Sequence, residues 1–152
     1  KKPFETIEIG KSRTIRNGKD IAILTIGNTG LFVNEIKERL IEQEIDYCHV
    51  DMRFVKPLDE EKLHSICNQF SQIITVEDGT IVGGFGSSIL EFISDNGYST
   101  KLKRLGIPDA FIEQGTINQL HALCGYGPDG IYSTTVNLID SKKKEIKVKV
   151  RN

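Results

Sequence analysis

A glycine-rich segment at 83–86 is the part of this sequence whose composition most directly suggests binding chemistry. It reads Gly-Gly-Phe-Gly, it follows a β-branched run at 73–76, and apolar residues return at helical spacing after Ser88. This order predicts a strand, a long loop over 77–85 and a helix. Because glycines at a helix N-terminus permit close backbone approach to an anion, a nucleotide or phosphate site is the first hypothesis.

The dinucleotide fingerprint is incomplete in this segment. Isoleucine stands at 89, where the fingerprint requires its third glycine, and no Gly-Lys-Ser/Thr sequence supplies a Walker loop. A phosphate at the helix N-terminus over 86–88 stays possible. The loop also carries apolar side chains, so we expect another part of the chain, a partner subunit or a ligand to cover it. The residues expected at that contact are Ile81, Val82, Gly83, Gly84, Phe85 and Gly86.

Charged residues follow two neighbouring strands of the predicted sheet. Arg53 comes shortly after the strand that ends at Asp51, and Glu77 ends the next strand. The carboxyl ends of parallel strands meet at one edge of a sheet, where open α/β folds place their ligand sites. We therefore predict an ion pair between Arg53 and Glu77, and favour the ordering of two loops over ligand contact as its role.

Histidine and cysteine residues do not form a convincing reactive set. His64 and Cys67 share one face of a predicted helix, but two ligands without a second pair are weak support for a metal site, and Cys67 also fits the buried stripe. Cys48 and His49 are neighbours on a strand and point to opposite faces, so they are not a nucleophile and its base. The sequence therefore predicts neither catalytic nor metal-binding residues.

Strands alternate with helices along the chain, which is typical of an α/β fold with helices on both faces of the sheet. The run 21–26 is apolar on both faces and predicts an interior parallel strand, whereas Asn17-Gly18 before it indicates a hairpin turn. Further predictions are a helix over about 32–42, an N-cap at Asp59, a capping box at Thr116 and a last helix from Pro128. The residues predicted to face inward after Thr116 are Ile117, Leu120 and either Leu123 or Cys124.

The composition limits the classes of function that fit this sequence. A chain of 152 residues with 38% hydrophobic residues and a net charge of −1 fits one soluble domain, with no field to attract nucleic acid or membrane. Three cysteines at unrelated spacings favour reduced thiols and a cytoplasmic location. The segment 142–151 holds six basic residues and one acidic residue, which indicates a solvated basic tail; a basic arm or a short edge strand at 146–150 are the alternatives. The start without methionine suggests a piece of a longer protein.

Three blocks of sequence carry a family resemblance: Val-Asp-Met-Arg-Phe-Val-Lys-Pro-Leu-Asp at 50–59, Val-Glu-Asp at 76–78 with Gly-Gly-Phe-Gly-Ser at 83–87, and Gly-Ile-Pro-Asp-Ala-Phe-Ile-Glu-Gln-Gly-Thr at 106–116. Together they resemble the C-terminal domain of the 1-deoxy-D-xylulose-5-phosphate synthase family. The first two also resemble the wider transketolase superfamily, including the β subunits of 2-oxoacid dehydrogenases. Order and spacing agree from about Ile9 to Ile131.

This resemblance implies a three-layer α/β/α fold on a mixed five-stranded sheet with one antiparallel strand. It implies one transketolase C-terminal-like domain over 1–140, followed by the tail at 141–152. In this family the enzyme uses thiamine diphosphate and magnesium to condense pyruvate with glyceraldehyde 3-phosphate, for isoprenoid and thiamine biosynthesis, and both cofactors sit on other domains. The family motif of Gly-Asp-Gly with a later asparagine has no counterpart here, so the resemblance implies a chain without catalytic or cofactor-binding residues.

The implied partners are the other domains of the enzyme and a second subunit in a homodimer. The candidates for that interface, or for the rim of an active site built elsewhere, are Arg53, Glu77, Ile81, Val82, Gly83, Gly84, Phe85 and Gly86. Gly84→Val is expected to disrupt dimerisation. A 2-oxoacid dehydrogenase β subunit is the alternative, which the 107–114 segment disfavours. A stand-alone nucleotide- or phosphate-binding regulator is a third possibility, which the incomplete fingerprint disfavours.

Overall fold

A mixed five-stranded sheet forms the middle layer of the computed structural model, which describes residues 6–151, with side chains described to Lys144. The strand order is β1-β3-β2-β4-β5, with β1 antiparallel to β3 and the other neighbours parallel. The strands are β1 (Arg13–Arg16), β2 (Ile21–Thr25), β3 (Tyr47–Asp51), β4 (Gln72–Thr80) and β5 (Lys101–Ile107). The helices are α1 (Gly30–Glu35), α2 (Lys37–Glu42), α3 (Glu60–Gln69), α4 (Phe85–Asp95), α5 (Ile117–Leu123) and α6 (Pro128–Arg151).

Helices cover both faces of the sheet, and alternate residues of β2 enter two separate cores. Ala22 and Leu24 pack with residues of α3 and α4, whereas Ile21 and Ile23 pack with residues of α1, α2 and α6. All five residues of β2 are buried, as its continuous apolar sequence predicts. The three-layer α/β/α architecture and the single antiparallel strand are therefore confirmed.

Strand β1 does not form the hairpin with β2 that Asn17-Gly18 indicates. It pairs with β3 instead, in the register Thr14 opposite Val50. The turn crosses the start of β3, where the amide of Lys19 donates to the carbonyl of Asp46 at 2.8 Å. Gly18 lies so close to the Tyr47 carbonyl that a Cβ has no room there. The glycine is required by this crossing rather than by a tight turn.

Local capping signals are confirmed, whereas several apolar positions differ from prediction. The Asp59 carboxylate accepts from the Lys62 amide, and Thr116 forms a complete capping box with Gln119. The predicted helix over 32–42 is divided at Ile36 into α1 and α2. Of the residues predicted to face inward here, Leu120 and Cys124 are partly buried. Ile117 and Leu123 are exposed, because α5 turns only the side around His121 toward the core.

The C-terminal helix continues past the predicted domain boundary. Helix α6 extends from Pro128 to Arg151 without a break between 140 and 141. The alternative of an edge strand at 146–150 is therefore wrong, while the side chains of that segment lie outside the described part. Within residues 6–151, none of the helices has the length and apolarity required to cross a membrane.

His49 is a buried imidazole on an inner strand of the sheet. It lies on β3 with Nε2 at 3.0 Å from the Thr25 hydroxyl. Burial lowers the pKa of His49 to about 4; Asp51 opposes this shift and Arg13 adds to it. The folded chain therefore holds this imidazole neutral at pH values where the unfolded chain protonates it.

This difference predicts a loss of stability on mild acidification. An unfolded histidine takes up its proton near pH 6.5 and folded His49 only near pH 4, so stability declines as the pH falls between these values. By linkage, His49 accounts for about 2 kcal/mol of the stability lost between pH 7 and pH 5. Urea unfolding at the two pH values should show a smaller difference for His49→Gln. The control, His64→Gln, should retain the wild-type difference, and an unchanged difference in His49→Gln would contradict the assignment.

Candidate functional site at the carboxyl edge of the sheet

The glycine-rich loop is shorter than predicted. Strand β4 continues to Thr80 after a register shift, pairing there with Ile107 of β5, and α4 already begins at Phe85. The predicted loop over 77–85 is therefore reduced to 81–84. Glu77 lies within the strand, not in a flexible connection.

The side chain of Glu77 fills the N-terminus of α4. Its carboxylate accepts the amide of Phe85 at 2.7 Å and the amide of Gly86 at 2.8 Å, and the residue is only 4% exposed. A helix N-terminus presents unpaired N–H groups and a partial positive charge, which a carboxylate satisfies. The anion position where a phosphate at 86–88 was considered is thus occupied by the protein itself.

The glycines of this region make room for Glu77 and its neighbours. A Cβ on Gly84 would collide with the Glu77 carboxylate, and one on Gly106 would lie 2.8 Å from Glu77 Cγ. A Cβ on Gly86 would lie 2.7 Å from the Thr75 hydroxyl and 2.9 Å from Arg104 Cγ. The close approach predicted at Gly84 and Gly86 therefore comes from within the chain. Gly84→Val is therefore expected to disturb the fold itself, so a loss of dimerisation in this variant would not by itself place Gly84 at an interface.

Arg104 of β5 holds the 81–84 loop in place. Its guanidinium donates to the Ile81 carbonyl at 2.6 Å and to the Ser87 hydroxyl at 2.8 Å. The same hydroxyl donates to the Ile81 carbonyl and accepts the amide of Gly83, whose φ of +72° suits glycine. The loop is an ordered turn, and sequence reasoning did not identify Arg104.

The predicted ion pair between Arg53 and Glu77 is wrong. Among the described residues, Glu77 is hydrogen-bonded to the α4 amides and Arg53 forms no ion pair with it. Arg53 instead adopts a left-handed backbone with φ of +58°, and its amide donates to Asp51 Oδ1 at 3.1 Å. Asp51 lies 3.5 Å from the guanidinium of Arg13. Glu77 does not pair with Arg53 because its carboxylate is buried and bonded to the α4 amides.

The six residues predicted to be covered have different environments. Phe85 and Gly86 are buried within the domain, Phe85 as part of its core. Gly84 and Ile81 are partly buried, whereas Val82 and Gly83 are exposed. Val82 is 56% exposed and lies at the tip of the loop after β4.

Further exposed apolar side chains follow the adjacent strands. Val55, after β3, is 41% exposed, and Phe111, after β5, is fully exposed. Together with Val82 they follow the carboxyl ends of three parallel strands, so they lie at the same edge of the sheet. We call Val55, Val82 and Phe111 the apolar edge. Exposed apolar residues mark a contact surface where they form one contiguous patch.

His64 and Cys67, the pair considered as metal ligands, each have contacts within the protein. His64 Nδ1 lies 2.7 Å from the Tyr98 hydroxyl, and Cys67 is buried in the core. Burial raises the pKa of the Cys67 thiol, which disfavours the thiolate that a metal requires. In the described part of the chain, no three residues of the His, Cys, Asp and Glu types form a metal-binding group.

The domain has a three-layer α/β/α architecture on a mixed sheet, and the helix N-terminus in its glycine-rich segment is closed by its own carboxylate. The model of the family "Transketolase, C-terminal domain" matches residues 10–131, and the chain belongs to this family. The match agrees with the extent of the resemblance seen in the sequence.

The most informative relatives are synthases of much greater length. The chain is 52% identical over 138 residues to 1-deoxy-D-xylulose-5-phosphate synthase of Cytophaga hutchinsonii, covering 91% of this chain and 22% of that protein. It is 38% identical over 142 residues to the same enzyme of Bacillus mycoides, covering 93% and 22%. The chain thus spans about a fifth of the length of these relatives.

Solved structures support the fold. A split-gene transketolase, described as an inactive β4 tetramer, matches with a TM-score of 0.80 and 25% identity, over 88% of this chain and 44% of that one. Transketolase of Campylobacter jejuni matches with a TM-score of 0.62 and 16% identity, over 90% and 20%. The second likeness concerns the fold alone.

The buried carboxylate predicts a large effect of Glu77→Gln. Glutamine has one acceptor oxygen where two amides require an acceptor, so one N–H of α4 loses its partner and the charge at the helix N-terminus is lost. We expect a decrease of about 2–3 kcal/mol in the free energy of unfolding, measured by urea denaturation. Glu91→Gln, the same change on the exposed side of α4, should cost less than about 0.5 kcal/mol. Equal effects of the two changes would contradict the assigned role.

Proposed function

We propose that this chain is the C-terminal, non-catalytic domain of a 1-deoxy-D-xylulose-5-phosphate synthase. The observation that carries the proposal is the 52% identity over 138 residues to such a synthase, of which the chain spans 22%. In the proposed parent enzyme, pyruvate and glyceraldehyde 3-phosphate are condensed with loss of carbon dioxide. The domain contributes to assembly and to the rim of an active site formed elsewhere.

The proposed parent uses thiamine diphosphate and magnesium, and the residues of this domain do not fit that cofactor. A diphosphate requires unpaired amides or cationic side chains, but the N-terminus of α4 in the glycine-rich segment is filled by Glu77. Asp78, the next acidic residue, accepts a hydrogen bond from the Tyr126 hydroxyl at 2.6 Å. We therefore assign cofactor binding to the other domains of the parent.

The apolar edge is the proposed contact with those domains or with a second subunit. Val82 lies at the tip of a turn that Arg104 and Ser87 hold in place, so an apolar contact there requires little further ordering. Arg53 and Gly83 lie in neighbouring loops of the same edge. Gly84 supports this surface from below by allowing Glu77 to close α4, and Gly86 by leaving room for Thr75 and Arg104.

The assignment of cofactor binding to the other domains predicts that the isolated chain does not bind thiamine diphosphate. Isothermal titration of the 152-residue chain with thiamine diphosphate and magnesium should give no saturable heat, whereas the full-length parent protein should bind. Saturable, magnesium-dependent binding to the isolated chain would contradict the proposed division.

A second prediction concerns assembly of the full-length parent. Val82→Asp places a charge on the apolar edge, where burial of an unpaired carboxylate opposes association. We expect the variant to shift toward monomer in analytical ultracentrifugation or to lose at least about tenfold in kcat/KM, while its thermal unfolding stays close to wild type.

Ile41→Asp is the matched control, since Ile41 is 49% exposed on α2, away from that edge. It should leave association and kcat/KM unchanged. If Val82→Asp also leaves both unchanged, the apolar edge is not the contact surface.

A further inference from the structure

Arg104 uses a single nitrogen of its guanidinium for hydrogen bonds inside the domain. Nη1 donates to both the Ile81 carbonyl and the Ser87 hydroxyl. Nε and Nη2 have no partner in the part of the chain whose side chains are described, and they are open to solvent. On a planar guanidinium these two N–H groups lie parallel along one side and match the two oxygens of a carboxylate. We call Nε and Nη2 the Arg104 fork.

The Arg104 side chain is held in position before any partner binds. Its Cγ and Cδ atoms lie against the first turn of α4, where a Cβ on Gly86 would approach them to 2.9 and 3.0 Å. The residue is partly buried, and Nη1 is fixed by its two acceptors. A long charged side chain loses conformational entropy when it forms a contact, but Arg104 has already lost much of this freedom on folding. The fork is therefore preorganised.

The domain does not supply a carboxylate for this fork. Among the side chains described up to Lys144, no aspartate or glutamate forms an ion pair with Arg104. The acidic residues at the end of β4, Glu77 and Asp78, are bonded to the α4 amides and to Tyr126. Strand β5 carries two lysines besides Arg104 and no acidic residue. The charge of this strand is positive and favours an anionic group from outside the domain.

The fork lies next to the apolar edge. Arg104 is bonded to Ile81, and the following residue, Val82, is 56% exposed at the tip of the same turn. Arginine is enriched at protein interfaces and among the residues that contribute most to binding. The chain spans about a fifth of the length of its synthase relatives, so most of the proposed parent lies outside it and can supply a partner surface.

We propose that the Arg104 fork forms a bidentate salt bridge with an aspartate or glutamate on another domain of the parent enzyme, beside the apolar contact of Val82. This inference rests on the proposed function, since it requires the apolar edge to be a contact surface. It adds the chemistry of the partner, which presents a carboxylate to Arg104 and an apolar group to Val82.

The test compares Arg104→Gln with Ser87→Ala in the full-length parent. The readout is the one that Val82→Asp changes, association in analytical ultracentrifugation or kcat/KM, at about 50 mM and about 500 mM NaCl. Arg104→Gln removes the charge and the fork, so we expect a loss of about tenfold or more at low salt. The loss should be smaller at high salt, where the wild-type ion pair is screened.

Ser87→Ala is the matched control for the order of the turn. It removes three hydrogen bonds of the turn but leaves the guanidinium, so it should cost less than about threefold at either salt concentration. The salt bridge is overturned if Arg104→Gln costs no more than Ser87→Ala, or if its effect is equal at both salt concentrations. If Arg104→Gln does not fold, Arg104→Lys takes its place, because lysine keeps the charge without the planar fork and must still lose more than Ser87→Ala.

The same measurements separate this inference from the proposed function. If Val82→Asp changes neither readout, the apolar edge is not a contact surface and the salt bridge is overturned with it. If Val82→Asp changes one readout and Arg104→Gln does not, the salt bridge alone is overturned. Self-association of the isolated 152-residue chain that Arg104→Gln abolishes would place the carboxylate on a second copy of this domain, and would overturn the assigned partner.

Discussion

The carboxyl edge of this domain depends on the contact between the buried Glu77 carboxylate and the first amides of α4. A helix that begins inside a protein requires an acceptor for its free N–H groups, and Gly84 at the N-cap has no side chain to supply one. Glu77 provides the acceptor from the neighbouring strand. The absence of a side chain at Gly84 and Gly106 is the condition for this contact, since a Cβ at either position would collide with Glu77.

This contact explains why the glycine-rich segment suggested a phosphate site as the first hypothesis. Glycines before a helix show that some group approaches the backbone closely, but a phosphate and a protein carboxylate impose the same requirement. The distinguishing signal was an acidic residue at the end of the preceding strand, which is ambiguous because the same position suits a surface ion pair with Arg53. In the structure Glu77 lies within a register shift of β4 between Val76 and Thr80, which the sequence pattern does not reveal.

Local signals predicted the elements well, and long-range contacts decided the rest. The apolar run of β2 and the caps at Asp59 and Thr116 involve residues close in sequence, so their physical cause is visible there. The pairing of β1 with β3 joins residues more than thirty positions apart, and turn propensity at Asn17-Gly18 does not contain that information. Likewise, the periodicity of α5 shows an apolar face at Ile117 without showing what covers it.

Closing the helix N-terminus with a side chain changes what the domain can contribute to a larger protein. An open helix N-terminus at the edge of an α/β sheet is a general anion site. In this domain the N-terminus of α4 is closed by Glu77 and stabilises the fold, so the exposed surface of the edge is available for contacts with other domains. Tyr126, between α5 and α6, connects the carboxyl edge with the helical layer beside it. Tyr126 donates to Asp78, adjacent to Glu77, and packs on His121. This bond ties the segment between α5 and α6 to the strand that carries Glu77, so the order of the carboxyl edge extends into the neighbouring helical layer.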